Sequence, residues 1–312
     1  MVRVGIIGCG NIGRVHAMVL NEIKQVRICA LADIRLERAE EYSARFTAGK
    51  AKTYESMENM LEKEALDVVH ICTPHDCHVP MAAAALKKGL HAFMEKPPAI
   101  SREQFEELLM ISGQSSGRLG ICFQNRYNET TKKVNELLTQ GTLGRIKGVG
   151  ALINQSIHAL DLLLSWLGKP VRTEGSMSNH HLKGIVEVED TLEAYMAFTE
   201  GAEPVSASFY ATTAYAMDAP VFLELACEKG FIRLEGNSVW FQTEGQEEPV
   251  VWKAKRASLP GKTYWGSGHE ACIRDFYDCL ETGKDYFNDL VSVQNTFYTM
   301  MDIYDSARNE GR

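Results

Sequence analysis

Four groups of residues have types and spacings that could do chemistry. The first is Gly8-Cys9-Gly10-Asn11-Ile12-Gly13, a GxGxxG run between an apolar stretch and a helical pattern. Asp33 ends the next apolar stretch, 20 positions beyond Gly13. In that setting the glycines let the backbone approach a pyrophosphate. The helix start adds free N–H groups and the positive end of its dipole. Asp33 can accept hydrogen bonds from both hydroxyls of a ribose and would repel a 2′-phosphate, which favours NAD. Arg35 pulls toward NADP, because a guanidinium could neutralise that phosphate. The bland alternative is a glycine-rich turn that binds nothing.

The second group is Glu95-Lys96-Pro97, again after an apolar stretch. A lysine there could hydrogen-bond a substrate hydroxyl and help to move its proton, with Glu95 orienting the ammonium. Pro97 permits a cis peptide bond. A solvated surface ion pair is the other reading. The third group is His70, Cys72, His75, Cys77 and His78, which looks like a metal cluster. These residues crowd into one strand end and loop, whereas a closed zinc site usually pairs ligands from two separated segments, so no metal is expected. Thr73 and Pro74 are expected to shape a loop near the cofactor, with His78 starting the next helix. The fourth group is Asn154, His158, Asp161 and Ser165, spaced four, three and four apart opposite an apolar stripe. Either this is an amphipathic surface helix, or His158 is a general acid/base that Asn154 or Asp161 orients.

The elements that must position these groups follow from periodicity. Strands are expected at Val2–Ile7, Val26–Asp33, Asp67–Cys72, His91–Glu95 and Leu119–Phe123. Helices alternate with them at Asn11–Lys24, Leu36–Phe46, Val79–Lys88 and from the Ser101 cap to Ser115. Repeated β-α with continuous apolar strands means a parallel, doubly wound sheet covered on both faces, over residues 1–123. From about residue 124 the pattern changes. Helices are expected at Glu129–Leu138, Asn154–Leu167, His269–Leu280 and Val291–Ala307. Between them, Leu192–Thr199, Val205–Ala211, Val221–Cys227, Phe231–Leu234, Val239–Gln242 and Val250–Lys253 read as an antiparallel sheet, and residues 124–312 as one α+β domain.

Composition excludes several classes. With 33 Lys+Arg against 41 Asp+Glu the net charge is −8, and no basic cluster is present. A nucleic-acid binder needs cationic surface to displace counterions, and an anionic membrane would repel this chain. No apolar run approaches the ~18 residues of a membrane span. The N-terminus turns to glycine too soon for a signal-peptide core. The eight cysteines contain no CxxC pair and read as reduced thiols, which implies a cytoplasmic protein.

Taken together, Gly8–Gly13, Asp33, Thr73-Pro74 with His78, Glu95-Lys96-Pro97, Gln124-Asn125-Arg126-Tyr127, Asn154–His158 with Asp161, and His269 near Asp275-Phe276 resemble the Gfo/Idh/MocA family of oxidoreductases. The resemblance implies an N-terminal Rossmann domain and a C-terminal α+β domain. The open, mostly antiparallel sheet of the latter supports homodimers or homotetramers. It implies bound NAD or NADP and a sugar, cyclitol or sugar-derivative substrate oxidised or reduced at a secondary hydroxyl. It matches Lys96 and His158 to the catalytic pair. It puts Gly8, Gly10, Asn11, Ile12, Gly13, Asp33, Arg35, Thr73, Pro74, His78, Glu95 and Lys96 around the cofactor. Gln124, Arg126, Asn154 and Asp161 fall toward the substrate. Asn154 stands where many members carry an aspartate. The run from GRIKGVGA into LINQSIH is shorter than in relatives, which leaves the substrate open. The alternatives are a non-catalytic dinucleotide-binding regulator, which is of another class, and an NAD-dependent glycosidase-like enzyme, which keeps the enzyme but changes the reaction.

Overall fold

The computed structural model describes residues 1–153, 157–179, 181–184, 189–199, 203–214, 221–255 and 268–310. The chain divides into two compact units, Met1–Phe123 with His269–Gln294, and Gln124–Gly268 with Asn295–Arg312.

The first unit begins with β1 (Val2–Ile7), α1 (Asn11–Asn21), β2 (Val26–Ala32), α2 (Leu36–Thr47), β3 (Lys52–Tyr54) and α3 (Met57–Lys63). It continues with β4 (Val68–Ile71), α4 (His78–Lys87), β5 (His91–Met94), α5 (Arg102–Gln114) and β6 (Leu119–Ile121). The strands form one sheet in the order β3-β2-β1-β4-β5-β6, and every ladder is parallel. The chain runs outward from β1 to β3 and then returns to lay β4 on the other side of β1. That reversal opens a crevice at the strands' carboxyl ends, where such sheets bind ligands. All four β4 residues are buried, which explains why the strand shows no polar alternation and why its one polar residue, His70, is buried with its apolar neighbours. Ser101 caps α5 as expected, accepting a hydrogen bond from the Gln104 N–H at 3.3 Å. Sequence periodicity misses β3 and α3, because three and seven residues are too few to show a period.

The second unit holds α6 (Glu129–Gln140), β7 (Ile146–Ile153), α7 (Ile157–Leu167), β8 (Arg172–Ser178), β9 (Thr191–Ala197), β10 (Ser206–Thr212) and β11 (Phe222–Cys227). It continues with β12 (Gly230–Glu235), β13 (Ser238–Thr243) and β14 (Val250–Lys253), and after α8 (Gly268–Thr282) comes α9 (Gln294–Glu310). Its sheet has the order β14-β13-β12-β11-β7-β10-β9-β8, and among these ladders the β7–β10 pair alone is parallel. Burial alternates along β9: Leu192, Ala194 and Met196 are buried, Glu193 and Tyr195 exposed. The inner face packs on Val134 and Leu137 of α6, Leu160 and Leu163 of α7, and Ile303 of α9. The edge strand β8 escapes sequence reading because RTEGSMS is too polar to show an alternation.

One expectation needs correction, and another falls partly outside the described residues. Residues 269–294 do not join the second domain. Phe276 and Tyr286 pack against Phe93, with ring centroids 5.1 and 6.2 Å apart, and Tyr277 stacks on His70. Arg118 donates to the carbonyls of Cys279 and Gly283 at 3.2 and 2.9 Å, and Asn288 donates to Phe123 O at 3.0 Å. This apolar and polar docking surface exists only once the parallel sheet is built. The helix expected over Asn154–Leu167 is described from Ile157 onward. Asn154, and the junction that follows β7, lie outside the described residues.

Candidate functional site

The GxGxxG loop leaves β1 and enters α1. Gly8 adopts φ +91°, and a Cβ there would stand 2.4 Å from Cys72 O. A Cβ on Gly13 would stand 2.2 Å from Gly8 O, so only glycine permits this tight strand-to-helix turn. Gly10 is different: a Cβ there meets nothing within 4 Å, and no side chain caps the helix at this residue. The first N–H groups of α1, at Asn11, Ile12 and Gly13, are therefore available to an anion. Asp33 follows β2. Its Oδ2 accepts the Cys9 N–H at 2.8 Å and its Oδ1 the Arg35 N–H at 2.9 Å. Each oxygen keeps further acceptor capacity for a ribose hydroxyl. Arg35 is exposed at the start of α2. These residues fit the pyrophosphate and ribose of a dinucleotide.

The loops after β4 and β5 lie at the same end of the sheet. His78 opens α4 and is fully buried, with Nδ1 2.8 Å from Pro97 O and Nε2 3.0 Å from Thr73 O. Its ring therefore straps the two loops together rather than facing a ligand. Thr73 turns its hydroxyl toward Met81 sulfur at 3.5 Å, and Pro74 is exposed. Glu95 is buried, Lys96 is half-buried, and the Lys96–Pro97 bond is cis.

Glu95 is held by residues that the sequence did not associate with it. His16 Nε2 lies 3.0 Å from Glu95 Oε1. Burial pushes the Glu95 pKa up. The hydrogen bond from His16, together with the field of His16, His269 and Lys96, outweighs burial and holds the carboxyl well below its usual range. Burial lowers His269 to about 4. His16, Glu95 and Cys122 bring ligand-type atoms within 4.8 Å of one another, a set different from the His/Cys group at residues 70–78, for which no metal is expected. Its members bond to each other and to their neighbours: Cys122 is within hydrogen-bonding reach of Glu95 and Cys272. A signal for this cluster was present, since His16 sits on the sheet-facing side of α1 and His70 lies mid-strand in β4, both among apolar residues.

In the second unit, a 3-10 turn over Gln124–Tyr127 faces α7. His158 is buried, and Gln124 Nε2 lies 3.2 Å from its Nε2. Arg126 grips Asp161 through two bonds, Nε to Oδ2 at 2.7 Å and an Nη to Oδ1 at 2.6 Å. Thr296 Oγ1 adds a donor to Oδ1 at 2.7 Å. Asp161, read from sequence as a partner for His158, thus spends both oxygens on Arg126 and Thr296, while Gln124 reaches the imidazole. His158 and Asp161, three apart on α7, share a helix face; the groups that reach them differ, Gln124 meeting the imidazole and Arg126 and Thr296 the carboxylate.

A model of an oxidoreductase family with an NAD-binding Rossmann fold matches residues 2–122, and a model of the GFO/IDH/MocA C-terminal domain matches residues 145–233. The chain belongs to the GFO/IDH/MocA oxidoreductase family. It is 29% identical to D-glucoside 3-dehydrogenase of Escherichia coli over 194 residues, covering 54% of this chain and 55% of that protein. It is 25% identical to myo-inositol 2-dehydrogenase of Thermotoga maritima, covering 64% of this chain and 66% of that one. The chain therefore spans little more than half to about two thirds of these relatives' length. An Agrobacterium radiobacter oxidoreductase solved with NAD+, L-tartaric acid and magnesium superimposes with TM-score 0.87 at 17% identity, over 100% of this chain and 97% of that one, which shows the shared fold.

The first unit is thus the NAD-binding Rossmann domain of a GFO/IDH/MocA protein. Asp33→Asn keeps one acceptor oxygen but removes the charge that opposes a 2′-phosphate. The ratio of NADPH to NADH affinity should rise about tenfold or more, since charge-assisted bonds are worth ~1.5–3 kcal/mol. Titrations of both nucleotides by fluorescence measure it, and an unchanged ratio would remove Asp33 from ribose recognition.

Proposed function

We propose that this GFO/IDH/MocA protein is an NAD(P)-dependent dehydrogenase acting on a secondary hydroxyl of a sugar, cyclitol or sugar derivative. One observation carries the reading. The Gly8–Gly13 cradle with Asp33, and the buried Glu95 preceding Lys96, stand at the carboxyl ends of one parallel sheet. The relatives that are named dehydrogenases of glucosides and inositol support the substrate class.

When bound, the nicotinamide supplies the hydride acceptor or donor. Lys96 hydrogen-bonds the substrate hydroxyl and stabilises the negative charge that grows on its oxygen. His158 takes the hydroxyl proton, and Gln124 fixes its ring. The two roles can be exchanged between Lys96 and His158. Arg126 and Asp161 support this helix as an ion pair.

The test is an assay of the purified chain with NAD and NADP across aldoses, glucosides, inositols and nucleotide sugars, following NAD(P)H. Reduction of the nucleotide with at least one such alcohol is the expected result. Tight nucleotide binding without hydride transfer across that panel would replace this reading with a regulator. Release of free sugar without net NADH would replace it with a glycosidase.

Two further expectations accompany the reading. We infer a homodimer or homotetramer formed on the outer face of the eight-stranded sheet, where Leu152 and Tyr195 are exposed and Tyr210 and Phe222 half-buried. Light scattering should give at least twice the 34.8 kDa chain mass; a monomer would refute it. A cytoplasmic setting is supported by eight free cysteines, six of them buried. No described helix is long and apolar enough to cross a membrane.

A further inference from the structure

The buried histidines under the Glu95 loop form a continuous chain inside the first unit. Tyr277 Oη lies 2.8 Å from His70 Nε2, His70 Nδ1 lies 2.8 Å from His16 Nδ1, and His16 Nε2 lies 3.0 Å from Glu95 Oε1. His16 and His70 are fully buried, and Tyr277 and Glu95 nearly so. The links join residues 79, 54 and 207 positions apart.

Elementary donor counting gives this chain a direction. An ionised carboxylate only accepts, so the hydrogen between His16 and Glu95 belongs to His16 Nε2. His16 Nδ1 meets two groups, His70 Nδ1 at 2.8 Å and Cys72 Sγ at 3.3 Å. Burial keeps the Cys72 thiol protonated, hence a donor, and keeps the His70 ring neutral. Assigned as a neutral ring with its one hydrogen on Nε2 toward Glu95, His16 leaves Nδ1 bare, free to accept from both neighbours. His70 then carries its hydrogen on Nδ1 and accepts from the Tyr277 hydroxyl on Nε2. Every bond points the same way, from α8 through β4 and α1 to the end of β5.

We propose that Tyr277, His70 and His16 are positioning residues that present a single N–H to Glu95 and so fix the carboxylate beside Lys96. The positioning role rests on the dehydrogenase reading; the direction of the chain does not. A neutral imidazole with the other nitrogen protonated would turn a lone pair onto Glu95, which is electrostatically repulsive in a dry interior. The tautomer of His16 is therefore what the upstream residues hold. Tyr277 extends that control to α8, the helix that sequence reading assigned to the other domain.

Ring-nitrogen NMR of the full-length, histidine-labelled protein tests the direction without any substrate. The expected result is His16 protonated at Nε2 and bare at Nδ1, and His70 protonated at Nδ1 and bare at Nε2. A proton on His16 Nδ1, in either a neutral or a doubly protonated ring, overturns the proposal. Kinetics test the role. His70→Asn retains an N–H that can reach His16, so it should keep the His16 tautomer and hold kcat within about threefold of wild type. His70→Leu removes the donor. It should give mixed His16 tautomers and lower kcat by about tenfold or more, with KM for NAD within about threefold. Equal losses in the two variants would mean that His70 only fills space, and the positioning role would fall. Should His70→Leu fail to fold, the wild-type NMR result and the His70→Asn profile still decide. If no alcohol in the panel is oxidised, the NMR result stands alone and separates this failure from that of the dehydrogenase reading.

Discussion

Replacing Lys96 with alanine should lower kcat by about 10³-fold and leave the NAD dissociation constant within about threefold of wild type. The expectation follows from where charge develops. As the substrate hydroxyl loses its proton, its oxygen becomes anionic, and an ammonium in a partly desolvated site stabilises that state more than the ground state. Lys96 is half-buried at the end of β5 and follows the ionised Glu95. The pyrophosphate cradle belongs to a different loop, so nucleotide binding should survive. Lys96→Arg should restore little, because a planar guanidinium puts its donors elsewhere. His158→Ala should lose a similar factor. The double variant should lose only slightly more than either single one, since groups that act on one proton are not additive. Steady-state kinetics with nucleotide titration measure all of this. Wild-type turnover in Lys96→Ala would remove the lysine from the mechanism.

Arg126→Ala should destabilise the second unit by about 3–5 kcal/mol, the usual cost of stranding one member of a buried ion pair. The Arg126 and Asp161 side chains are only 8% and 1% exposed. Without the guanidinium, Asp161 keeps Thr296 as its remaining observed donor for a buried charge. All four tryptophans, at 166, 240, 252 and 265, lie within Gln124–Gly268, so denaturant unfolding followed by tryptophan fluorescence reports on this unit. The double change Arg126→Met with Asp161→Leu should recover most of the loss, because replacing a buried pair by apolar groups of similar size is often neutral. A destabilisation below about 1 kcal/mol in Arg126→Ala would mean that the pair is solvated in solution.

These two predictions differ in how much of their basis can be read in the sequence. Lys96 is legible because its neighbours in the chain suffice: an apolar strand, then EKP, in a series of β-α repeats. Asp33 is legible for the same reason, at a fixed distance from the glycines. Arg126 and Asp161 are 35 positions apart, and nothing local shows that one guanidinium will fork onto that carboxylate. His158 stands out on its helix stripe, yet its neighbour Gln124 comes from a turn 34 positions earlier.

What the sequence determined by itself is what local chain chemistry controls. Glycines at 8 and 13 permit one tight turn, continuous apolar runs demand a parallel sheet, and alternation over 191–253 demands a half-covered antiparallel one. Tertiary structure alone decided which distant groups share a proton or a charge. It moved α8 onto the Rossmann sheet through Phe276 and Tyr277, gave Asp161 to Arg126, and lined up Tyr277, His70, His16 and Glu95. The physical reason is range. Backbone conformation and amphipathicity act over a few residues and leave a periodic trace. A buried hydrogen bond acts over three ångströms in space, between positions whose spacing along the chain carries no period at all.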